Sequence, residues 1–560
     1  MDYTLFIYTR IPDQTFCLPS FGNSIHFAVS EDGHSFIPLN QNRGILYARG
    51  EVSPMNQIVE KGLADPEVVV LSDGSYAILA RRTGAGGQTE EGYGEERLLW
   101  LTEDFITFEE CGLVDPKQHH RLSGMNTLDR TGQIPYPLPG VAAGCRIRIS
   151  EAVYERLIQV YIPVHNTFMD VPDEICVSSR EELNELSFTA HYSDGSTARK
   201  RYDAVDVSDI DFEKPGTYHV TATVRQKPYS FPLAVGFADP VVFLWEGSYY
   251  YISTNDNTDD VGFWVRKAEC VPDLFAPDTE QHLILDRDPG RKLIQTFWAP
   301  EFHVIGGRVY VLFAVSGDTF DPQCHMMRLK KNGSITKAED WEDPVRVRKR
   351  DGAFLAEAGI TLDMTYFENN GKSYVVWSYR ENCMAEGDTG SMLYIAQTDP
   401  GQPWMLLSDP VLLSRPLYGW ENVDGTINNE GPYPLLTKDR VYIAYSGGSA
   451  CNWTYTVGLL RAGRDADLLD PEQWVKSTCP ALSSVDLDGF YGPGHNSFFL
   501  DKEGDTYIAY HGEGAPYDSP RSTALHRIHF NQCGEPVLNV CYDRDIKEEY
   551  RILDLKVVVG

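Results

Sequence analysis

Five ionisable side chains recur at nearly one place in a repeat. Counting back from five tyrosines, Asp239 lies 11 residues before Tyr250, Glu301 lies 9 before Tyr310, and Asp363 lies 11 before Tyr374. Glu430 lies 12 before Tyr442, and His495 lies 12 before Tyr507. Carboxyls gathered at one point repel one another and raise the pKa of at least one of them, which is the condition for a general acid at neutral pH. Two carboxyls on opposite sides of a sugar ring, tuned by a third, can hydrolyse a glycosidic bond. Any one of these residues could merely cap a turn. Five in register argue for shared chemistry.

The elements that must position them follow from the same repeat. Each tyrosine centres a short aromatic strand: Gly-Ser-Tyr250-Tyr-Tyr-Ile, Gly-Arg-Val-Tyr310-Val-Leu, Gly-Lys-Ser-Tyr374-Val-Val-Trp377, Asp-Arg-Val-Tyr442-Ile-Ala-Tyr and Gly-Asp-Thr-Tyr507-Ile-Ala-Tyr. Successive separations of 60, 64, 68 and 65 residues suit one four-stranded unit with its loops. Radial packing of five such units makes a five-bladed β-propeller, in which the first strand of each blade lines the central channel. The five registered side chains are then expected to converge near one end of that channel. A plain sandwich would not predict so steady a period.

The expected fold is all-β, with this propeller domain over residues 236–560. Residues 1–135 read as a β-rich, propeller-like fragment, because Leu63-Ala-Asp65-Pro followed by Gly74-Ser-Tyr76 repeats the Asp239–Tyr250 spacing. The Pro/Gly-rich passage Ile134–Gly140 marks a boundary. Residues 136–235 then read as a small β-sandwich, with strands expected at Cys145–Ser150, Leu157–Pro163, Leu186–Tyr192 and Thr217–Val224. Within it, Lys214-Pro-Gly-Thr-Tyr218 resembles the closing hairpin of bacterial immunoglobulin-like domains.

Composition narrows the partners. With 49 basic and 81 acidic residues the net charge is −32, which disfavours nucleic acid and anionic membranes and suits a neutral ligand such as a sugar. No run of about 18 apolar residues is present. The N-terminus lacks the basic and apolar segments of a signal peptide, and eleven scattered cysteines, an odd number without a CxxC pair, read as reduced thiols. A cytoplasmic location is the expectation.

Over residues 236–540 the sequence resembles glycoside hydrolase family 43, five-bladed propellers that act with inversion on arabinofuranosides, arabinans and xylosides. Five motifs carry the resemblance: Ala-Asp239-Pro, Trp298-Ala-Pro-Glu301-Phe-His303, Leu-Asp363, Asn429-Glu430-Gly-Pro and Tyr491-Gly-Pro-Gly-His495-Asn-Ser. The resemblance implies that Asp239 is the general base, Glu430 the general acid, and Asp363 the group that raises the acid's pKa and orients it. It implies no required cofactor, with a calcium ion near His495, held through water, as the one metal to expect; a packed, hydrogen-bonded histidine is an equal reading. Ser414-Arg-Pro-Leu-Tyr-Gly-Trp420-Glu resembles the exo-acting 1,5-α-L-arabinofuranosidase branch, and Arg521 matches a basic residue that in this branch reaches the site. Trp298, Trp377 and Trp420 are candidate sugar contacts, aromatic faces suiting the apolar surface of a furanose. Glu301 is a candidate for a substrate hydroxyl. The expected substrate is an arabino- or xylo-oligosaccharide, with a β-xylosidase and a non-catalytic carbohydrate-binding propeller as alternatives. Sialidase is disfavoured because its repeated Ser-x-Asp-x-Gly-x-x-Trp boxes are missing. Asp65 is set aside as the base because Asp239, and not Asp65, leads directly at one repeat spacing into the other four motifs.

Overall fold

The computed structural model describes residues 3–13, 16–90, 92, 94–122, 136–205, 210–226, 229–423 and 426–560. The start of the expected Ile134–Gly140 boundary lies outside them. The described chain is nearly all β, with few and short helices.

From residue 234 onward the chain forms five four-stranded antiparallel sheets, the third carrying one further short strand and the fifth completed by Ala234–Val235. Their first strands are Phe237–Trp245, Gln295–Ile305, Ile360–Asn369, Glu430–Leu436 and Tyr491–Leu500. Each packs beside the next, and the fifth packs against the first, so these inner strands close a ring. The ring is tied by the chain itself, because Ala234–Val235, just before the first sheet, pairs with Arg521–Arg527 of the last. The second strands are sandwiched between neighbouring sheets; Arg308–Ser316 is buried from Val309 to its end. Burial on both faces explains why these strands read as continuous apolar runs rather than as an alternation.

Every inner strand is interrupted at the same place. Pairing with the second strand shifts between Ala238 and Val241, Trp298 and Glu301, Leu362 and Thr365, Glu430 and Tyr433, and Gly494 and Ser497. One residue at each shift has positive φ: Asp239 (52°), Ala299 (47°), Asp363 (55°), Gly431 (56°) and His495 (45°). A bulge of this kind bends the strand and re-aims a side chain. For aspartate and histidine the left-handed backbone is uncommon, and such strain collects at functional sites.

Residues 4–148 form two further four-stranded sheets. One is ordered Val141–Arg148, Thr4–Arg10, His26–Ser30, Ile37–Pro38, and the other runs in sequence from Lys61–Val70 to Glu109–Val114. Thr4–Arg10 thus pairs with a strand beyond the expected 135/136 boundary. The strand expected at Leu157–Pro163 is corrected: Glu151–Tyr161 is a helix, started by Ser150, whose side chain accepts the Val153 N–H, and Tyr154 and Leu157 are buried on one side. Asp65 repeats the positive φ of Asp239, but it is exposed and ion-paired to Arg81 at 2.9 Å.

Residues 166–224 make two small sheets around one core. The second is completed by the end of the chain, Ile552–Val559, which pairs with Gly216–Val224 and with Ile175–Val177. This corrects the 236–560 division, since the last strand belongs with the middle sheets. A buried ion cluster joins the parts: Asp545 accepts from Lys200 at 2.7 Å, from Arg527 and from the Tyr192 hydroxyl at 2.9 Å. Asp545→Ala leaves two buried cations without a counter-charge, so a loss of about 3–5 kcal/mol is expected in chemical denaturation. A loss below about 1 kcal/mol would contradict the cluster's role.

The first residues also reach the ring. Phe16 stacks on Tyr491 (centroids 5.9 Å apart), Gln41 donates to Asp486 at 2.5 Å, and Arg415 donates to Asn56 at 2.6 Å.

Candidate active site

The bulges bring Asp239, Asp363 and His495 to one end of the ring. Glu430 stands one residue before the fourth bulge and Glu301 two after the second. The five ionisable groups are therefore neighbours, but only three occupy the equivalent position; Ala299 and Gly431 fill the other two.

Asp239 is buried. Its Oδ2 accepts from the Thr254 hydroxyl at 2.5 Å, and its Oδ1 lies 3.1 Å from His511 Nδ1, 3.2 Å from His495 Nδ1 and 3.9 Å from the Arg521 guanidinium. Burial opposes its ionisation, but His495, the His511 hydrogen bond and Arg521 outweigh that and hold the carboxyl well below the usual carboxylate range. His495 answers in kind: burial disfavours its charge, yet Asp239, Asp363, Glu430 and Glu301 together raise its pKa.

Asp363 is also buried, accepting at Oδ2 from the Gly431 N–H (3.1 Å) and the Ser378 hydroxyl (3.2 Å). Burial pushes its pKa up; His495 works against this and Asp239 adds to it. Glu430 is half-buried and accepts at Oε1 from the Tyr455 hydroxyl at 3.0 Å. Burial, then the neighbouring Asp363, push its carboxyl up to about 7. One carboxyl is thus held ionised and another is held protonated near neutrality. This separation assigns base and acid roles in carboxylate enzymes.

Glu301 is buried with its Oε2 2.6 Å from His303 Nε2, so it is engaged by the protein. Trp298 is half-buried, and its indole N–H donates to Asp260 at 2.8 Å. Arg521 is clamped by Asp256 through two hydrogen bonds of 3.0 and 2.5 Å. Two expectations are corrected. Trp377 is 2 % exposed and stacks with Tyr394 within the core, because it alternates away from Ser378, the neighbour that faces Asp363. Trp420 is fully buried, donating to the Thr478 carbonyl and stacking on Tyr445. Neither offers a face to a ligand.

Beside Trp420, the fully buried Glu421 accepts from Lys476 (2.5 Å), Asn429 (2.8 Å) and Tyr445 (3.0 Å), which fixes the residue immediately before Glu430. Sequence reasoning missed Thr254, Ser378 and His511, although a signal existed: each lies four residues after its repeat's tyrosine. In the fourth repeat the same position is Ser446, which accepts the His495 N–H at 2.7 Å. Tyr455 was missed too. It stacks on His511 with centroids 5.2 Å apart, and a Cβ on Gly494 would come within 2.1 Å of its ring, so that glycine of the Tyr491-Gly-Pro-Gly494-His495 motif is required by contact.

Calcium takes six to eight oxygen ligands. Among the described residues no group of three or more His, Cys, Asp or Glu is disposed to hold a metal ion. The buried His495 Nε2 has no hydrogen-bond partner there, but its ring is drawn toward the cationic form by the surrounding carboxyls. These residues do not fit a directly ligated calcium. A separate cavity of about 670 Å³, bordered by Arg199, Lys200, Tyr229, Arg527 and Asp545, contains none of the five registered groups.

Residues 229–536 match the model of the glycosyl hydrolases family 43, and the chain belongs to that family. It is 32 % identical over 330 residues to an extracellular exo-α-(1→5)-L-arabinofuranosidase of Streptomyces avermitilis, covering 57 % of this chain and 65 % of that protein. It is 31 % identical over 299 residues to the enzyme of the same name from Streptomyces chartreusis, covering 53 % and 85 %. A crystal structure of an α-L-arabinofuranosidase from Lactobacillus brevis is similar with a TM-score of 0.48 at 29 % identity, over 55 % of this chain and 95 % of that one. The match thus spans just under two thirds of the S. avermitilis protein. Both Streptomyces relatives are named extracellular, which overturns the cytoplasmic expectation; neither the missing basic segment nor the thiol count was a sound guide.

Proposed function

We propose that this chain is an inverting exo-glycosidase that removes terminal α-L-arabinofuranosyl units from arabino-oligosaccharides or arabinan side chains. The observation that carries the reading is the opposed tuning of Asp239 and Glu430 at one end of the ring. In it, Asp239 takes a proton from water as the water attacks the anomeric carbon. Glu430 gives its proton to the departing glycosidic oxygen, and Asp363, hydrogen-bonded to the Gly431 N–H, keeps Glu430 protonated and its strand in place. Inversion needs acid and base on opposite faces of the sugar with room for the water. No step passes through a metal.

The five sheets around a closed ring support a five-bladed propeller over about residues 234–540. The two small sheets support an immunoglobulin-like module built from residues 164–224 and the final strand. Residues 4–162 then form a separate β-rich unit against the propeller. The names of the Streptomyces relatives support arabinose over xylose.

The test is release of sugar from 4-nitrophenyl α-L-arabinofuranoside and 4-nitrophenyl β-D-xyloside, alongside linear 1,5-arabino-oligosaccharides. Arabinose released one unit at a time supports the reading. Xylose alone would make the chain a β-xylosidase, and no turnover on any of them would leave the binding-propeller alternative.

A further inference from the structure

The strand Thr506–Glu513 delivers His511 to Asp239, and Glu513, two residues on, lies on the same face of that strand. Glu513 is only 1 % exposed, yet its Oε2 has no hydrogen-bond partner among the described residues. Its partner across the sheet is Arg521, the residue that approaches Asp239. Arg521 does not neutralise it, because that guanidinium is already held by Asp256. A buried carboxyl oxygen left unpaired beside a reactive centre is costly unless something else fills the bond.

We propose that Glu513 is a substrate-binding residue, whose carboxyl hydrogen-bonds hydroxyls of the terminal sugar. This rests on the glycosidase reading above. Burial pushes the Glu513 carboxyl up to about 8, against the pull of Arg521, so at neutral pH it is an acid that both donates and accepts. A sugar hydroxyl offers the matching acceptor and donor. An ionised glutamate could only accept. The charged and titratable groups around it are Arg521 across the sheet, Asp256 and Asp260 behind Arg521, His511 and Asp239 along the same face, Tyr491 paired on its other side, and Cys451, on which Arg521, Glu513 and Glu430 all act. Burial pushes Asp260 up to about 6 and Glu430 up to about 7, so the change assigned to Glu513 is the one that falls above pH 8 and is lost in Glu513→Gln.

The experiment compares wild type, Glu513→Ala and Glu513→Gln on 4-nitrophenyl α-L-arabinofuranoside at pH 6, with the KM for arabinotriose and the affinity for L-arabinose from pH 6 to 9. Circular dichroism verifies folding. Removing a buried hydrogen-bonding partner is expected to raise KM roughly ten- to hundredfold in the alanine variant, with a smaller effect on kcat. The glutamine variant, which keeps a donor and an acceptor, should restore KM to within about threefold of wild type. Wild-type affinity for L-arabinose should weaken above pH 8, and that of the glutamine variant should not. An unchanged KM in the alanine variant, a glutamine variant as poor as alanine, or the same pH dependence in wild type and glutamine would overturn the proposal. A KM rise confined to arabinotriose would also overturn it, by placing Glu513 on the leaving-group side. If wild type cleaves only the β-xyloside, the arabinose reading fails, and the same variants on that substrate still decide the role of Glu513.

Discussion

Asp239→Asn is expected to lower kcat by roughly 10²–10⁴-fold, the range that general acid–base residues supply, with little change in KM. The amide cannot take a proton from water, but it is the size of the carboxylate, and its one oxygen can still accept from the Thr254 hydroxyl when it takes the place of Oδ2. The loss should be alike for activated and natural leaving groups, because water attack is needed for both. The substitution also leaves His495 and Arg521 facing an uncharged group, so the imidazole should titrate at lower pH than in the wild type. An NMR titration of His495 checks that shift. Hydrolysis within about threefold of wild type would remove Asp239 from the mechanism.

Glu430→Gln should separate substrates where Asp239→Asn does not. For arabino-oligosaccharides, whose leaving oxygen needs a proton, a loss of roughly 10²–10⁴-fold is expected. For the 4-nitrophenyl glycoside, whose leaving group departs as a stable anion, the loss should be far smaller. The pH profile gives a second readout. Glu430 works as the protonated acid, and burial and Asp363 raise its pKa to about 7. Activity should therefore fall as pH rises through about 7 in the wild type, and that alkaline limb should vanish in the glutamine variant. Asp239, held far below the ordinary carboxylate range, should contribute no acid limb in the working range. A limb near pH 7 in kcat at saturating substrate that persists in Glu430→Gln would assign the acid elsewhere, whereas the weakening expected from Glu513 above pH 8 shows in KM.

Sequence spacing reached the ring because each repeat buries one tyrosine-centred strand between its neighbours, and burial repeats with the sheet. It could not place the bulge. Asp239, Asp363 and His495 share the positive-φ position, while Glu430 and Glu301 flank it by one and two residues, offsets smaller than the variation in turn length before each tyrosine. Trp377 and Trp420 were misread for a related reason. An aromatic ring beside a motif serves a sugar face or a core equally well until the strand's alternation is known, and at Trp377 the alternation turns it inward. Tyr455 was illegible for want of a partner, since its role rests on contacts made across sheets. The final strand could not be foreseen in the middle module, because it pairs with residues more than 300 positions earlier.

The most direct test of the central claim is a proton NMR time course of arabinose released from a linear 1,5-arabino-oligosaccharide. The account predicts that arabinose leaves one unit at a time and first appears with the anomeric configuration opposite to that of the substrate. First-formed arabinose of retained configuration, or release of longer fragments from the chain interior, would contradict it.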